Sequence, residues 1–138
     1  MIKYLLDTNI CIEILRGNRK VREKLALVNP MECAISEITV LELKIGEEQA
    51  RQKSFPEKYV DQHLEDFLKG FKVLPIINTF DFVAKEKARL RMAGTPAHNN
   101  FDLLIGCTAV VNGLTMVTDN IKDFKRISNI KLEDWLER

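Results

Sequence analysis

Asn100-Phe101-Asp102-Leu103-Leu104-Ile105-Gly106 sets one carboxylate in front of an almost wholly apolar run that continues through Val111. A charge costs several kcal/mol to bury without a partner. Asp102 therefore needs a helix end, a cation or water close by. Three other carboxylates occupy comparable settings: Asp7, Glu42 and Asp119.

Working outward from that stretch, Ile2-Lys3-Tyr4-Leu5-Leu6 reads as a short strand ending at Asp7. Asp7 or Thr8 caps a helix through Arg16, which Gly17 stops. A second helix is expected over Arg19 to Val28, a second strand over Cys33 to Ile35, and then a helix from Glu37 towards Gln49 with Ser36 as its cap. In that helix Ile38, Leu41 and Ile45 form an i, i+3, i+7 stripe, and Glu42 lies on it. Glu42 thus points towards the interior or a cleft at its edge, as a functional group or as half of an internal salt bridge. Arg51 to Lys58 reads as a connection. Val60, Leu64, Phe67, Leu68 and Phe71 mark an amphipathic helix, with His63 at its rim as a surface residue. Lys72 to Ile76 is a third strand, placed at an edge or a strand end by Pro75. Thr79 caps a helix through Ala93 that carries Lys85, Lys87, Arg89 and Arg91, either a solvated face or a phosphate-gripping one.

The Asp102 helix ends near Asn112-Gly113. Leu114 to Val117 is a buried fourth strand, Ile121 to Ile127 a short helix and Ile130 to Leu132 a last strand, and Trp135 and Leu136 pack the C-terminus onto the body. Short strands alternating with helices favour an α/β fold, a mostly parallel sheet with helices on both faces.

At 138 residues, 46% hydrophobic and 30% charged, the chain reads as one globular domain spanning 1–138. The net charge of +1 argues neither for nor against nucleic acid. No apolar run is long enough for a membrane helix and no signal segment opens the chain, so a cytoplasmic protein is expected. Cys11, Cys33 and Cys107 form no CxxC pair and read as reduced, buried thiols.

In parallel α/β sheets ligands bind beyond the carboxyl ends of the strands. Asp7 and Asp119 each follow a strand, Glu42 begins the second turn after another, and Asp102 starts a helix that must begin on that same side. Taken singly, Asp7 and Asp102 could be plain helix caps and Asp119 a turn residue. Taken together, the four carboxylates converge and repel one another. A hard divalent ion resolves this, and an oxygen-only donor set suits Mg²⁺ or Mn²⁺ rather than zinc. Such a cluster serves phosphodiester hydrolysis. An aspartyl-phosphate phosphatase would place a second aspartate two residues after Asp7, where this chain has Asn9.

The chain resembles the PIN-domain ribonucleases, and within them the VapC-type toxins of bacterial toxin–antitoxin pairs. The segments that carry this are Tyr4-Leu5-Leu6-Asp7-Thr8-Asn9-Ile10, Ser36 to Leu43 with Gly46, Phe101 to Ile105, and Leu114 to Asn120. Phe124 to Ile127 and Leu132 to Trp135 add the tail. The resemblance implies a PIN-like (Rossmann-like) parallel five-strand sheet of order 3-2-1-4-5 and Mg²⁺- or Mn²⁺-dependent cleavage of RNA, with transfer RNA the substrate it points to. It implies Asp7 and Asp102 as principal metal ligands, Glu42 completing the site directly or through water, and Asp119 as the fourth acidic member. Thr8 and Thr118 would support the carboxylates by hydrogen bonds. It also implies a cognate antitoxin lying across the groove and a homodimer. The loop Pro96-Ala97-His98-Asn99-Asn100 departs from the family's pattern and bears on substrate choice. His98 is there as a loop residue, an RNA contact or a proton donor. The alternative function is a catalytically weak PIN-like module that serves mainly to bind a protein.

Overall fold

Leu5 and Leu6 are both fully buried, yet they point into different cores. Successive side chains of a strand face opposite ways, so the strand that holds them must be covered on both faces and apolar throughout. The computed structural model describes residues 1–53, 61–95 and 99–137. In it β1 (Tyr4–Leu6) is the central strand of a five-stranded sheet with β2 (Cys33–Ser36), β3 (Lys72–Leu74), β4 (Thr115–Val117) and β5 (Lys131–Glu133), ordered β3-β2-β1-β4-β5. All neighbours run parallel, with Tyr4 opposite both Cys33 and Thr115.

On one face Leu5, Ala34 and Met116 meet Leu90 of α5 (Phe80–Met92) and Leu103 and Cys107 of α6 (Asn100–Val111). On the other, Leu6, Ile35 and Val117 meet α1 (Thr8–Leu15), α2 (Arg19–Val28), α3 (Glu37–Gln52) and α4 (Asp61–Lys69) through Ile10, Val21, Leu43 and Leu64. Trp135 and Leu136 close this second core, and the indole stacks edge-on to Tyr4 with ring centroids 5.5 Å apart. Cys11, Cys33 and Cys107 are buried free thiols. No helix among the described residues is long and apolar enough to cross a membrane.

Gly106 sits where α6 meets α7 (Ile121–Phe124) and the turn after it. A Cβ there would come within 2.3 Å of Ile127 Cδ1 and 3.2 Å of Phe124 Cδ1. Both neighbours are almost wholly buried, so the glycine sets how closely these elements approach.

Several expectations are corrected. Leu41 and Ile45 are exposed, and the buried residues of α3 are Ile38, Thr39 and Leu43. The helix lies between two cores, Ile38 serving one and Leu43 the other, so no single apolar stripe marks its inner side. α3 also runs on to Gln52, past the point where the connection was expected to begin; residues 54–58 of that connection, with Val60, lie outside the described residues. Thr79 does not cap α5 with its side chain; its hydroxyl donates to the Ile76 carbonyl instead. The short helix stops at Phe124 rather than Ile127.

The basic run on α5 is divided. Arg89 is engaged within the fold, donating to Glu86 and to the Arg126 carbonyl. Glu86 is 4% exposed and accepts from Arg89 at 3.0 and 2.9 Å, from the Ser128 N–H at 2.7 Å and from its hydroxyl at 2.9 Å. Those donors, Arg89 first, hold its pKa down at about 2. A depressed carboxylate stabilises the fold above its unfolded pKa of 4.5 and loses that contribution as the pH falls towards 2. Glu86→Gln should therefore cost about 1–3 kcal/mol at pH 7 by urea denaturation. It should also flatten the acid limb of the stability curve, and a variant with the wild-type stability and acid limb would contradict the role given to Glu86.

Candidate active site

Asp7 follows β1, and its N–H continues the ladder by donating to the Val117 carbonyl at 2.9 Å. Its extended backbone, φ −66° and ψ 156°, makes it the N-cap of α1. Oδ1 accepts from the Thr8 N–H at 2.8 Å, and Oδ2 accepts from the Thr118 hydroxyl at 2.8 Å. Thr118 is itself oriented, because its oxygen accepts from the Asn120 N–H at 2.9 Å. The side chain of Asp7 is nonetheless buried, the residue being 4% exposed. Burial pushes its pKa up to about 6; the two hydrogen bonds oppose this, and the charges of Asp102 and Glu42 add to it.

Glu42 stands on the second turn of α3, half-buried, with Oε1 accepting from the Thr8 hydroxyl at 2.6 Å. Thr8 thus holds both acids, Asp7 through its backbone and Glu42 through its side chain. The supporting roles expected of Thr8 and Thr118 are present as hydrogen bonds.

Asp102 is not the cap of α6. Asn99 is: its Oδ1 accepts from the Asp102 N–H at 2.9 Å, and its Nδ2 donates to Asp102 Oδ2 at 3.2 Å. Asp102 occupies the first turn, half-buried, where the positive end of the helix dipole favours an anion. Lys87 of α5 donates to the Asn100 side chain at the same helix start. Asp119 lies half-buried just beyond the carboxyl end of β4. All four acids therefore stand at the carboxyl end of the sheet, and the charges of Asp102 and Glu42 each reach Asp7. His63 is exposed; Pro96, Ala97 and His98 lie outside the described residues.

Among the described residues, no three acidic, histidine or cysteine side chains stand as a ready-made metal cage. Mg²⁺ does not need one, since it keeps several waters and uses one or two carboxylates. The donors present are all oxygens, and the buried Asp7 is an anion that its own hydrogen bonds do not fully compensate. The residues fit a hydrated hard cation. Sequence reasoning missed Thr39 and Asn99. Asn99 carried a signal, a cap residue three positions before an acid. Thr39 carried a weaker one, a hydroxyl three residues before Glu42 on one helix face.

A family model for the PIN domain matches residues 4–130. The tRNA(fMet)-specific endonuclease VapC of Salmonella typhimurium is 34% identical over 137 residues, which cover 98% of this chain and 99% of that protein. Ribonuclease VapC2 of Rickettsia felis is also 34% identical over 137 residues, 96% of this chain and 97% of the relative. The solved structure of DNA-bound VapBC from Salmonella typhimurium superposes with a TM-score of 0.84 at 33% identity, covering 98% of this chain and 99% of that one. The chain belongs to the PIN-domain family. Within it, the chain falls among the VapC-type proteins.

A carboxylate whose folded pKa is raised contributes stability below its unfolded pKa, here 3.8, and loses it as the pH rises through about 6. At neutral pH without metal, ionised Asp7 should therefore burden the fold. Asp7→Asn should raise the unfolding free energy by about 1–3 kcal/mol at pH 7.5 in EDTA, with the gain shrinking towards zero near pH 4. Urea denaturation at the two pH values checks this; a variant less stable than the wild type at pH 7.5 would contradict the burial cost.

Proposed function

We propose that this chain is a Mg²⁺- or Mn²⁺-dependent endoribonuclease toxin that hydrolyses RNA phosphodiester bonds, with transfer RNA as its substrate class. The observation that carries this is the buried Asp7 carboxylate at the carboxyl end of the sheet, held by the Thr8 N–H and the Thr118 hydroxyl, with Glu42 anchored on the same Thr8. The names of its VapC relatives support the ribonuclease activity, and one of them supports transfer RNA.

Asp7 and Asp102 would hold the cation, with Glu42 joining directly or through water and Asp119 as the fourth acid. When bound, the cation supplies an acidified water and offsets charge on the phosphate. The chain's own residues do the rest. Thr118 and the Thr8 backbone fix the Asp7 oxygens, and Asn99 holds Asp102 at the helix start. Glu42, anchored by Thr8, orients the attacking water. Lys87 adds a positive charge at the rim, where an RNA backbone would pass.

The solved VapBC complexes among its structural relatives support a cognate antitoxin as partner, and a homodimer is the assembly we propose. Freed of antitoxin, the wild type should cut transfer RNA with Mg²⁺ or Mn²⁺ and not in EDTA. Asp7→Ala and Asp102→Asn should each lose more than the roughly 10- to 100-fold that removal of an outer-shell partner costs. Gel analysis of labelled transfer RNA checks both. Equal cutting by the variants would contradict the assignment, and a wild type that binds its antitoxin but cuts no RNA would make the chain a binding module.

A further inference from the structure

Thr39 is fully buried inside α3, and its hydroxyl lies 3.1 Å from the Thr8 hydroxyl oxygen. Distance alone leaves the donor open, but proton counting decides it. The Thr8 hydroxyl has one hydrogen, and a carboxylate can only accept. At 2.6 Å from Glu42 Oε1, Thr8 gives that hydrogen to the acid. Thr39 must then donate to Thr8. The order is Thr39 to Thr8 to Glu42, a chain of hydroxyls in which each donor polarises the next.

Thr39 stands in the first turn of α3, and four residues earlier lies Ile35 in β2, so its hydroxyl has no carbonyl within its own helix to turn back to. Among the described residues, its hydroxyl's one hydrogen bond crosses to α1. Thr8 in turn is 8% exposed, and its backbone N–H is bound to Asp7 Oδ1. Without the Thr39 donor, the Thr8 hydroxyl can rotate away from Glu42. With it, the Thr8 hydrogen goes to Oε1 at 2.6 Å, and Oε2 makes no hydrogen bond among the described residues.

We infer that Thr39 is a positioning residue: acting through the Thr8 hydroxyl, it fixes the Glu42 carboxylate by Oε1 and leaves Oε2 outside the hydroxyl chain. This rests on the cation site and the nuclease function proposed above for its two readouts. The order of the hydroxyl chain follows from the hydrogen bonds themselves.

The test compares Thr39→Val, which keeps the shape and removes the donor, with Thr39→Ser, which keeps the donor. Two measurements are made on the antitoxin-free protein: Mn²⁺ affinity by titration calorimetry, and kcat and KM on transfer RNA. Thr39→Val should lose about 10- to 100-fold in kcat or Mn²⁺ affinity, with KM for RNA within about twofold. Thr39→Ser should recover most of the loss. In a Glu42→Gln background Thr39→Val should add almost nothing, because it acts through Glu42. If Thr39→Val does not fold, Thr39→Ala against Thr39→Ser gives the same contrast.

Wild-type Mn²⁺ binding and kcat in the donor-free variant, or full additivity with Glu42→Gln, would overturn the inference. A wild type that cuts no RNA, with Mn²⁺ binding still weakened by Thr39→Val and restored by Thr39→Ser, would remove the nuclease function and leave the inference standing.

Discussion

A carboxylate buried at the carboxyl end of the central strand, with two more acids near it, is the constraint on which this molecule turns. Asp7 has an oxygen on each of two donors and still pays for its burial with a raised pKa. The fold makes that position unavoidable. β1 is covered on both faces, so the first polar residue after Leu6 emerges where α1 must begin and where β4 runs alongside. The surrounding hydroxyls then divide the work. Thr118 and the Thr8 backbone serve Asp7, and the Thr8 side chain serves Glu42. The charges of Asp102 and Glu42 add to the burial of Asp7 in raising its pKa, and a hard cation is what we propose offsets them.

The stretch Asn100 to Gly106 takes on three separate jobs in the structure. Asn99 ahead of it caps the helix, which frees Asp102 from that duty and sets it on the first turn beside the site. The apolar residues behind it fill the core on that face of the sheet. Gly106 lets the Ile127 side chain pack against α6 at a distance where a Cβ would force it to shift. One helix thereby carries an acid at its start and fixes the far wall of the fold at its middle.

Much of this was legible in the residues, for reasons that differ from element to element. β1 and β4 stood out because strands buried on both faces cannot alternate. Asp7 and Asp119 were found because they follow those strands directly. The strand order was legible only through resemblance, since parallel pairing across helices leaves no local mark. The stripe on α3 misled because Leu41 and Ile45 keep helical spacing while the helix is shared between two cores. Glu86 was hidden in a basic run; its i+3 partner Arg89 is visible in the sequence, but Ser128 lies far along the chain. Thr39 was missed because a buried hydroxyl declares its role only when its partner's proton is counted.

The central claim is that the acids form one site whose repulsion a hard cation relieves. The most direct test is the melting temperature of the metal-free protein at pH 7.5 as Mn²⁺ is added, for the wild type and Asp102→Asn. A ligand that binds the folded state alone stabilises by RT ln(1 + [L]/Kd), so at about a hundredfold excess over Kd the gain is about 2.7 kcal/mol. Mn²⁺ should raise the melting temperature of the wild type by several degrees, and the rise should be largely lost in Asp102→Asn. A wild-type melting temperature that Mn²⁺ leaves unmoved, or an equal rise in both proteins, would contradict that claim.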